Sequence, residues 1–298
     1  MELQPFDDRD GVIWSDGALI PWRDCKIHVL SHGLHYASCV FEGERVYDGR
    51  IFKLREHSER LVGSGRILGF EIPYSVAEID QACRDLVAAM GIQDGYVRPV
   101  AWRGSEMMGV SAQQTKIHLA IATWVWPTYF TMDARMRGLK LRISEWRRPA
   151  PDTAPTKSKA AGLYMIATMS KHKAESNGFE DALLLDWRGY IAESTGANFF
   201  MVKKGELHTP IPECFLDGIT RRTVMDLARQ RGIAIHERHI KPEELAGADE
   251  VFITGTAAEV TPVSQIDDYK IAVGPICRQL AEDYERLVRS KQAKASAA

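Results

Sequence analysis

Cysteine is sparse and unpaired in this 298-residue chain: Cys25, Cys39, Cys83, Cys214 and Cys277 lie far apart, with no CxxC among them. An odd, dispersed set excludes a disulfide framework and a zinc ribbon, and free cysteines of this kind behave as small buried hydrophobes. No apolar run approaches the ~18 residues needed to span a bilayer. The opening MELQPFDDRDG has neither a basic n-region nor an apolar h-region, so the expected location is the cytoplasm, away from membranes. An excess of charge of either sign is missing too: a net charge of −2 creates no field that would draw nucleic acid or anionic lipid. Internal repeats and heptads are absent. What remains, 45% hydrophobic and 26% charged residues, is the composition of an ordinary globular protein, and the length fits two domains better than one.

Short strands are expected at Ala18 to Trp22 and across Arg45 to Leu54, the latter hinged on Asp48-Gly49, a dipeptide that accepts positive φ. LREHSERLVGSGRILG has apolar residues near helical spacing, and Ser75 can cap a second amphipathic helix running to Met90. Strands follow at Tyr96 to Trp102 and Ile117 to Trp126. The strand pattern then stops, which sets a small N-terminal domain at 1–126, a linker at 127–136 and a larger C-terminal domain at 137–298. That second domain opens with a strand at Leu139 to Trp146, then a proline-rich loop and a helical AAGLYMIATMSKHKAESNG. Meandering strands follow in DALLLDWRGYIAES and ANFFMVKKGELHT. Helices at Thr220 to Arg231 and Pro275 to Ser290 are separated by strands near Ile233 to His236 and Glu250 to Thr254.

Several motifs are set aside. Gly63-Ser64-Gly65 with Gly69 has the spacing GxGxxxG after a helical pattern, not a strand, so it reads as a helix end or loop rather than a dinucleotide loop. His32, His35 and Cys39 lack a further ligand nearby, and His236 and His239 in HERH fall on opposite faces of an expected strand. No metal site is expected.

Chemistry concentrates elsewhere. Lys157 and Lys159 sit among Thr156, Ser158, Ala160, Ala161 and Gly162, a run of small side chains that lets a bulky planar group approach the backbone. LDGIT leads into a helix, placing Gly218, free backbone N–H groups and the Thr220 hydroxyl at a helix N-terminus suited to a phosphate. Thr254-Gly255-Thr256-Ala257-Ala258 follows the apolar strand VFI and again exposes amides and hydroxyls. Glu193 closes GYIAE before Ser194-Thr195-Gly196, where its carboxylate can project into a cleft. A lysine, a carboxylate, Tyr164 and two phosphate cradles are the parts needed to hold pyridoxal 5′-phosphate.

FEGERVY, KAAGLY, ALLLDWRGYIAESTGANFF, LDGITRRTV and FITGTAAEVTPV closely resemble the class IV, fold-type IV pyridoxal-phosphate aminotransferases, in particular those acting on branched-chain amino acids. The resemblance covers about residues 10 to 285. It implies a two-domain α/β fold, a small N-terminal α/β domain and a larger C-terminal β pseudo-barrel with helices. It selects Lys159 over Lys157 as the Schiff-base lysine and general base. It makes Glu193 the partner of the pyridine nitrogen and Tyr164 the partner of the ring O3′. Arg60, Gly218, Ile219, Thr220, Gly255 and Thr256 would then hold the phosphate. Substrate contacts would come from Tyr36, Phe41, Gly43, Arg45, Tyr96, Arg98, Val110 and Tyr129, with Thr256 and Ala257 on the α-carboxylate. Such a site accepts an aliphatic side chain in one half-reaction and the glutamate carboxylate in the other. The implied reaction is ping-pong transfer from L-leucine, L-isoleucine or L-valine to 2-oxoglutarate by a homodimer, the loops bearing Tyr36 and Val110 crossing the subunit interface.

The chain departs from the commonest branched-chain pattern at Leu163, where asparagine is frequent, at Ala197, in place of glutamate, and over residues 170–173. These positions bear on substrate preference. FxGxR and YxR are intact at Phe41/Gly43/Arg45 and Tyr96/Arg98. They favour the branched-chain reading over its alternatives of the same fold: D-amino acid or (R)-amine aminotransferase, or aminodeoxychorismate lyase. A non-catalytic relative would be expected to have lost Lys159 or Glu193.

Overall fold

The computed structural model describes residues 4–126 and 132–290. They divide into two compact units: residues up to 126 together with Ser158–Gly162, and the remainder. The five residues around Lys159 thus group with the first unit, although the sequence places them beyond the linker.

The first unit is an antiparallel sheet covered by helices. Its elements are β1 (Val12–Ser15), β2 (Ala18–Pro21), α1 (His32–Tyr36), β3 (Cys39–Phe41), β4 (Glu44–Tyr47) and β5 (Arg50–Ile51), then α2 (Leu54–Ile67), α3 (Val76–Ala89), β6 (Gly95–Arg103) and β7 (Ile117–Val125). The strand order is β2-β1-β7-β6-β4-β5, with β3 also paired to β6. The β4–β5 turn is tight because Asp48 (φ 50°) and Gly49 (φ 73°) both take the left-handed conformation that a two-residue hairpin loop demands. Ser75 caps α3 reciprocally: its hydroxyl accepts the Glu78 N–H while the Glu78 carboxylate accepts the Ser75 N–H.

Strand periodicity sorts the site. Val97, Ala101, Leu119 and Ile121 share a core with Val40, Val46, Leu61, Ile79, Cys83 and Leu86, so one sheet face is sealed by α2 and α3. Tyr96 and Arg98, and Phe41, Gly43 and Arg45, alternate with those core positions and fall on the other face. The register Arg45↔Tyr96 and Phe41↔Val100 aligns the two sets. Glu42 and Glu44 are thereby turned toward the helices, fully buried.

The second unit contains α4 (Met132–Arg135), β8 (Leu139–Arg148), α5 (Met165–Glu175), β9 (Asp181–Asp186), β10 (Ile191–Ser194), β11 (Asn198–Lys203) and β12 (Glu206–Thr209). It continues with α6 (Ile219–Gln230), β13 (Ile235–Glu237), β14 (Glu250–Gly255), β15 (Glu259–Ile266), β16 (Tyr269–Lys270) and α7 (Pro275–Arg289). The sheet path runs β10-β9-β8-β15-β14-β11-β12-β13, and an extra β10–β11 pairing closes its first six strands into a ring. That closure rests on Glu193↔Asn198. Leu141, Leu183, Phe199, Met201, Val251, Ile253 and Val263 fill one side of the closed sheet.

Several local readings change. Gly63-Ser64-Gly65 lies inside α2, not at its end. The helix expected from Ala160 begins as a tight 3₁₀ turn at Ala161–Tyr164 before α5. The strand placed at Ile233 to His236 is Ile235–Glu237, parallel to β12. β1, α1, β3 and β15 carry no clear local signal; β15 pairs through Pro262, a residue that normally argues against a central strand.

Candidate active site

In the first unit Lys159 is fixed by its backbone on both sides. Its N–H donates to Ser64 Oγ of α2 (3.0 Å), and its carbonyl accepts the Phe41 N–H (3.2 Å). Ser158 Oγ donates to the Ser64 carbonyl (3.0 Å), and Ala160 bridges antiparallel to Val40. Gly162 allows the close approach of α1's end, since a Cβ there would lie 2.8 Å from that of Ala37. Lys159 is half-buried with Nζ 5.0 Å from the Phe41 ring centroid, whereas Lys157 is exposed. Ser64 is thus a site residue that the sequence reading missed, hidden in the Gly-Ser-Gly run it set aside.

Phe41, Gly43, Tyr96 and Arg98 come together on that face. The Arg98 guanidinium stands 4.8 Å from the Phe41 ring and 5.4 Å from the Tyr96 ring, and its Nη2 donates to Tyr96 Oη (3.4 Å). Gly43 is required by contact: an added Cβ would sit 1.9 Å from Tyr96 Oη. Arg45 is buried, with its guanidinium 5.1 Å from the Tyr47 ring. Behind the sheet, Arg60 of α2 grips Glu42 through Nε (2.6 Å) and Nη2 (2.8 Å), while His57 Nδ1 donates to the same carboxylate (2.7 Å). Glu42 is drawn well below the ordinary carboxyl range. Burial alone would raise it, and the neighbouring Arg60 and His57 outweigh that effect.

Tyr36 and Val110 stand on the surface of this unit, 44% and 87% exposed. They are linked through His32, which stacks on Tyr36 (4.6 Å) and donates from Nε2 to the Gly109 carbonyl (2.8 Å). His35 instead donates to the Val29 carbonyl. Tyr129 lies outside the described residues.

In the second unit Glu193 sits beside a register shift in β10, a bulge of the kind that re-aims a side chain. Arg148, buried at the end of β8, lies 3.5 Å from its carboxylate. Arg148 also donates to the carbonyls of Cys214 (3.0 Å) and Leu163 (3.3 Å), tying Glu193 to the segment that carries half-buried Tyr164. Nothing in WRRP separates Arg148 from exposed Arg147 beyond strand parity.

Asn198, paired with Glu193, donates to the Leu216 carbonyl (3.0 Å), and its Oδ1 lies where a Cβ on Gly218 would be, 2.2 Å away. Gly218 is the N-cap of α6 and supplies no side-chain cap, so the amides of buried Ile219 and Thr220 open the helix N-terminus. Gly255 packs against the next turn, a Cβ there meeting the Gly196 carbonyl at 3.0 Å and Ala197 Cβ at 3.2 Å. Thr256 and Ala257 form the loop between paired Gly255 and Glu259, and Arg135 pairs with Glu259 (2.7 Å) at its base.

His236 stacks on His208 and His239 on Tyr190, so the two rings have separate partners. Among the described residues no group of three or more His, Cys, Asp or Glu could hold a metal ion, and no helix is long and apolar enough to cross a membrane.

Residues 39–266 match the family described as Amino-transferase class IV, and the chain belongs to that family. Its similarity runs to the branched-chain enzymes. It is 42% identical over 291 residues to the branched-chain-amino-acid aminotransferase of Pseudomonas aeruginosa, with 95% of each chain covered. It is 37% identical over 281 residues to that of Escherichia coli (strain K12), with 91% of each covered. A solved structure of the branched-chain amino acid aminotransferase of T.th., containing pyridoxamine 5′-phosphate, shares its fold with a TM-score of 0.93 and 37% identity over 96% of this chain and 97% of that one. Fold type IV, expected from the motifs, is the fold found.

The residues fit a pyridoxal phosphate cofactor. Gly218 and Gly255 leave cradles that any side chain would fill, the α6 amides have no cap, and Thr254 Oγ1 is buried without a partner where β14 runs into Gly255.

Proposed function

We propose that this enzyme transfers the amino group of L-leucine, L-isoleucine or L-valine to 2-oxoglutarate, with pyridoxal 5′-phosphate as cofactor and Lys159 as the Schiff-base lysine. The observation that carries this reading is the anchoring of Lys159 beside Phe41, on the face shared with Gly43, Tyr96 and Arg98. Bound pyridoxal phosphate supplies an aldehyde carbon and an electron-withdrawing ring. The Lys159 amine takes a proton from the substrate Cα and returns it at C4′. Glu193, with Arg148 beside it as a cation, accepts the pyridine N–H and keeps that nitrogen protonated. Tyr164 donates to O3′. Arg60, Gly218, Ile219, Thr220, Gly255 and Thr256 hold the phosphate.

Phe41 and Tyr96 wall an aliphatic side chain, Arg98 meets the second carboxylate of glutamate, and Gly43 keeps the floor open. Arg45, Tyr36, Val110 and Tyr129 complete the substrate contacts, and Thr256 and Ala257 hold the α-carboxylate. The active species is a homodimer. In support, Val29, Leu34, Tyr36 and Val110 form an exposed apolar set on the first unit, an arrangement that favours association.

The test is the near-ultraviolet and visible spectrum of the purified protein before and after L-leucine, then 2-oxoglutarate, with Lys159→Ala as control. The pyridoxal band should convert to the pyridoxamine band and return, and the variant should show neither step. A band that responds to D-amino acids or amines but not to L-leucine would move the enzyme to another class IV activity.

A further inference from the structure

We propose that Glu42 is a positioning residue for cofactor phosphate recognition, holding the Arg60 guanidinium in one orientation through a buried two-point grip that His57 braces. The proposal rests on the reading of Arg60 as a phosphate ligand.

A carboxylate close to a phosphate-binding arginine presents a physical problem. Its negative charge opposes the incoming dianion, so on electrostatic grounds alone Glu42 lowers affinity. Burying it also costs solvation. Orientation is the compensating gain. A guanidinium has five N–H donors in a rigid plane, and Glu42 occupies the edge formed by Nε and Nη2. The opposite edge is thereby turned away from Glu42 in a defined plane. Arginine loses much side-chain freedom when it is ordered, and here the free protein has already lost it.

The brace is built in the same way. Glu42 is completely buried, and His57 is 2% exposed one turn before Arg60 on α2. Burial lowers the His57 pKa, so at neutral pH it donates to Glu42 as an uncharged imidazole and adds no second cation to compete with Arg60. The Gly43 N–H also points at Glu42 Oε2 (3.3 Å), so the carboxylate is held from both the strand and the helix. Glu42 is in turn placed by FxGxR: the residues that alternate with it face the substrate side, which leaves Glu42 directed at α2.

The experiment compares the dissociation constants of pyridoxal 5′-phosphate and pyridoxal, followed by the absorbance of the bound chromophore, for the full-length protein and four variants: E42Q, E42D, R60M and E42Q/R60M. Pyridoxal lacks only the phosphate, and its cyclisation in water affects every variant equally. E42Q should weaken pyridoxal phosphate about ten- to a hundredfold, the range for losing a charge-assisted pair, and leave pyridoxal within about twofold. E42D, with its charge intact but drawn back by one methylene, should lie between, and it carries the test if E42Q is recovered unfolded. The double variant should match R60M, because Glu42 acts only through Arg60. Equal loss of both ligands in E42Q or E42D would make Glu42 merely structural and overturn the proposal, as would tighter phosphate binding in E42Q. If R60M keeps the preference for the phosphorylated ligand, the reading of Arg60 itself fails. If R60M loses that preference and E42Q keeps it, only the role of Glu42 fails.

Discussion

Replacing Glu44 by glutamine should stabilise the protein at neutral and alkaline pH. Glu44 is fully buried under the helices, and neither carboxyl oxygen has a hydrogen-bond partner. Burial pushes its pKa well above the ordinary carboxyl value, the charges of Glu42 and Asp80 push it further, and Arg60 opposes them. In the unfolded chain the same group titrates near 4.3. Between those two values the folded protein holds a proton that the unfolded chain has lost. Stability is therefore full below the unfolded value and falls as pH rises, by about 1.4 kcal/mol per pH unit, until the folded pKa is passed. Glutamine keeps the shape and does not titrate. From about pH 5 upward the melting temperature of E44Q should pull away from that of the parent, at about 3–6 °C per pH unit until the folded pKa is passed. Thermal melts of the cofactor-free proteins across that range measure the difference directly. A gap that is constant with pH, or one that narrows as pH rises, would falsify the account of Glu44 as a buried acid held in its neutral form.

Ser64→Ala removes the acceptor of the Lys159 N–H and should cost about 1–3 kcal/mol of stability in urea titration, together with a fall in kcat. Unchanged kcat would mean that the Lys159 backbone is held without Ser64. Gly43→Ala forces a methyl toward Tyr96 Oη, and Tyr96 is boxed in by Trp124 and Trp126 with centroids 5.3 and 5.4 Å away. The KM for the amino donor should rise about tenfold or more while the cofactor band persists; an unchanged KM would show that the tyrosine can yield. Arg148→Met strips Glu193 of a buried cation and leaves the Cys214 and Leu163 carbonyls without their donor. A loss of about 3–5 kcal/mol is expected by chemical denaturation, and less than 1 kcal/mol would mean that Glu193 and the two carbonyls are satisfied without Arg148.

Much of the architecture was legible because it is written in short-range chemistry. Ser75 spells the cap of α3, Asp48-Gly49 spells a two-residue turn, and the apolar and aromatic runs after Tyr96 and Ile117 spell the strands β6 and β7. β1, β3 and β15 were not legible, because they are stabilised by partners distant in sequence rather than by their own pattern: Trp14 pairs with Ile121, Val40 with Ala101, and Val263 with Leu139. The helical Gly-Ser-Gly was misread for a related reason. Two glycines weaken a helix locally, yet Gly65 sits where a Cβ would meet Phe70 at 3.1 Å and Ser64 is held against Ser158, so packing overrides propensity.

The sequence by itself determined the family and the cofactor class, since the runs around Phe41, Lys159, Glu193, Gly218 and Gly255 are short local motifs that a chain carries before it folds. Tertiary structure alone decided what surrounds them. It distinguished half-buried Lys159 from exposed Lys157, fastened Lys159 to Ser64, set Arg148 against Glu193, and turned Glu42 and Glu44 of one motif toward the helices while Phe41, Gly43 and Arg45 face the other way. The reason is that strand parity and burial are properties of pairing between distant segments. A five-residue motif alternates its side chains in any strand, but only the folded sheet determines which of its two faces meets the core.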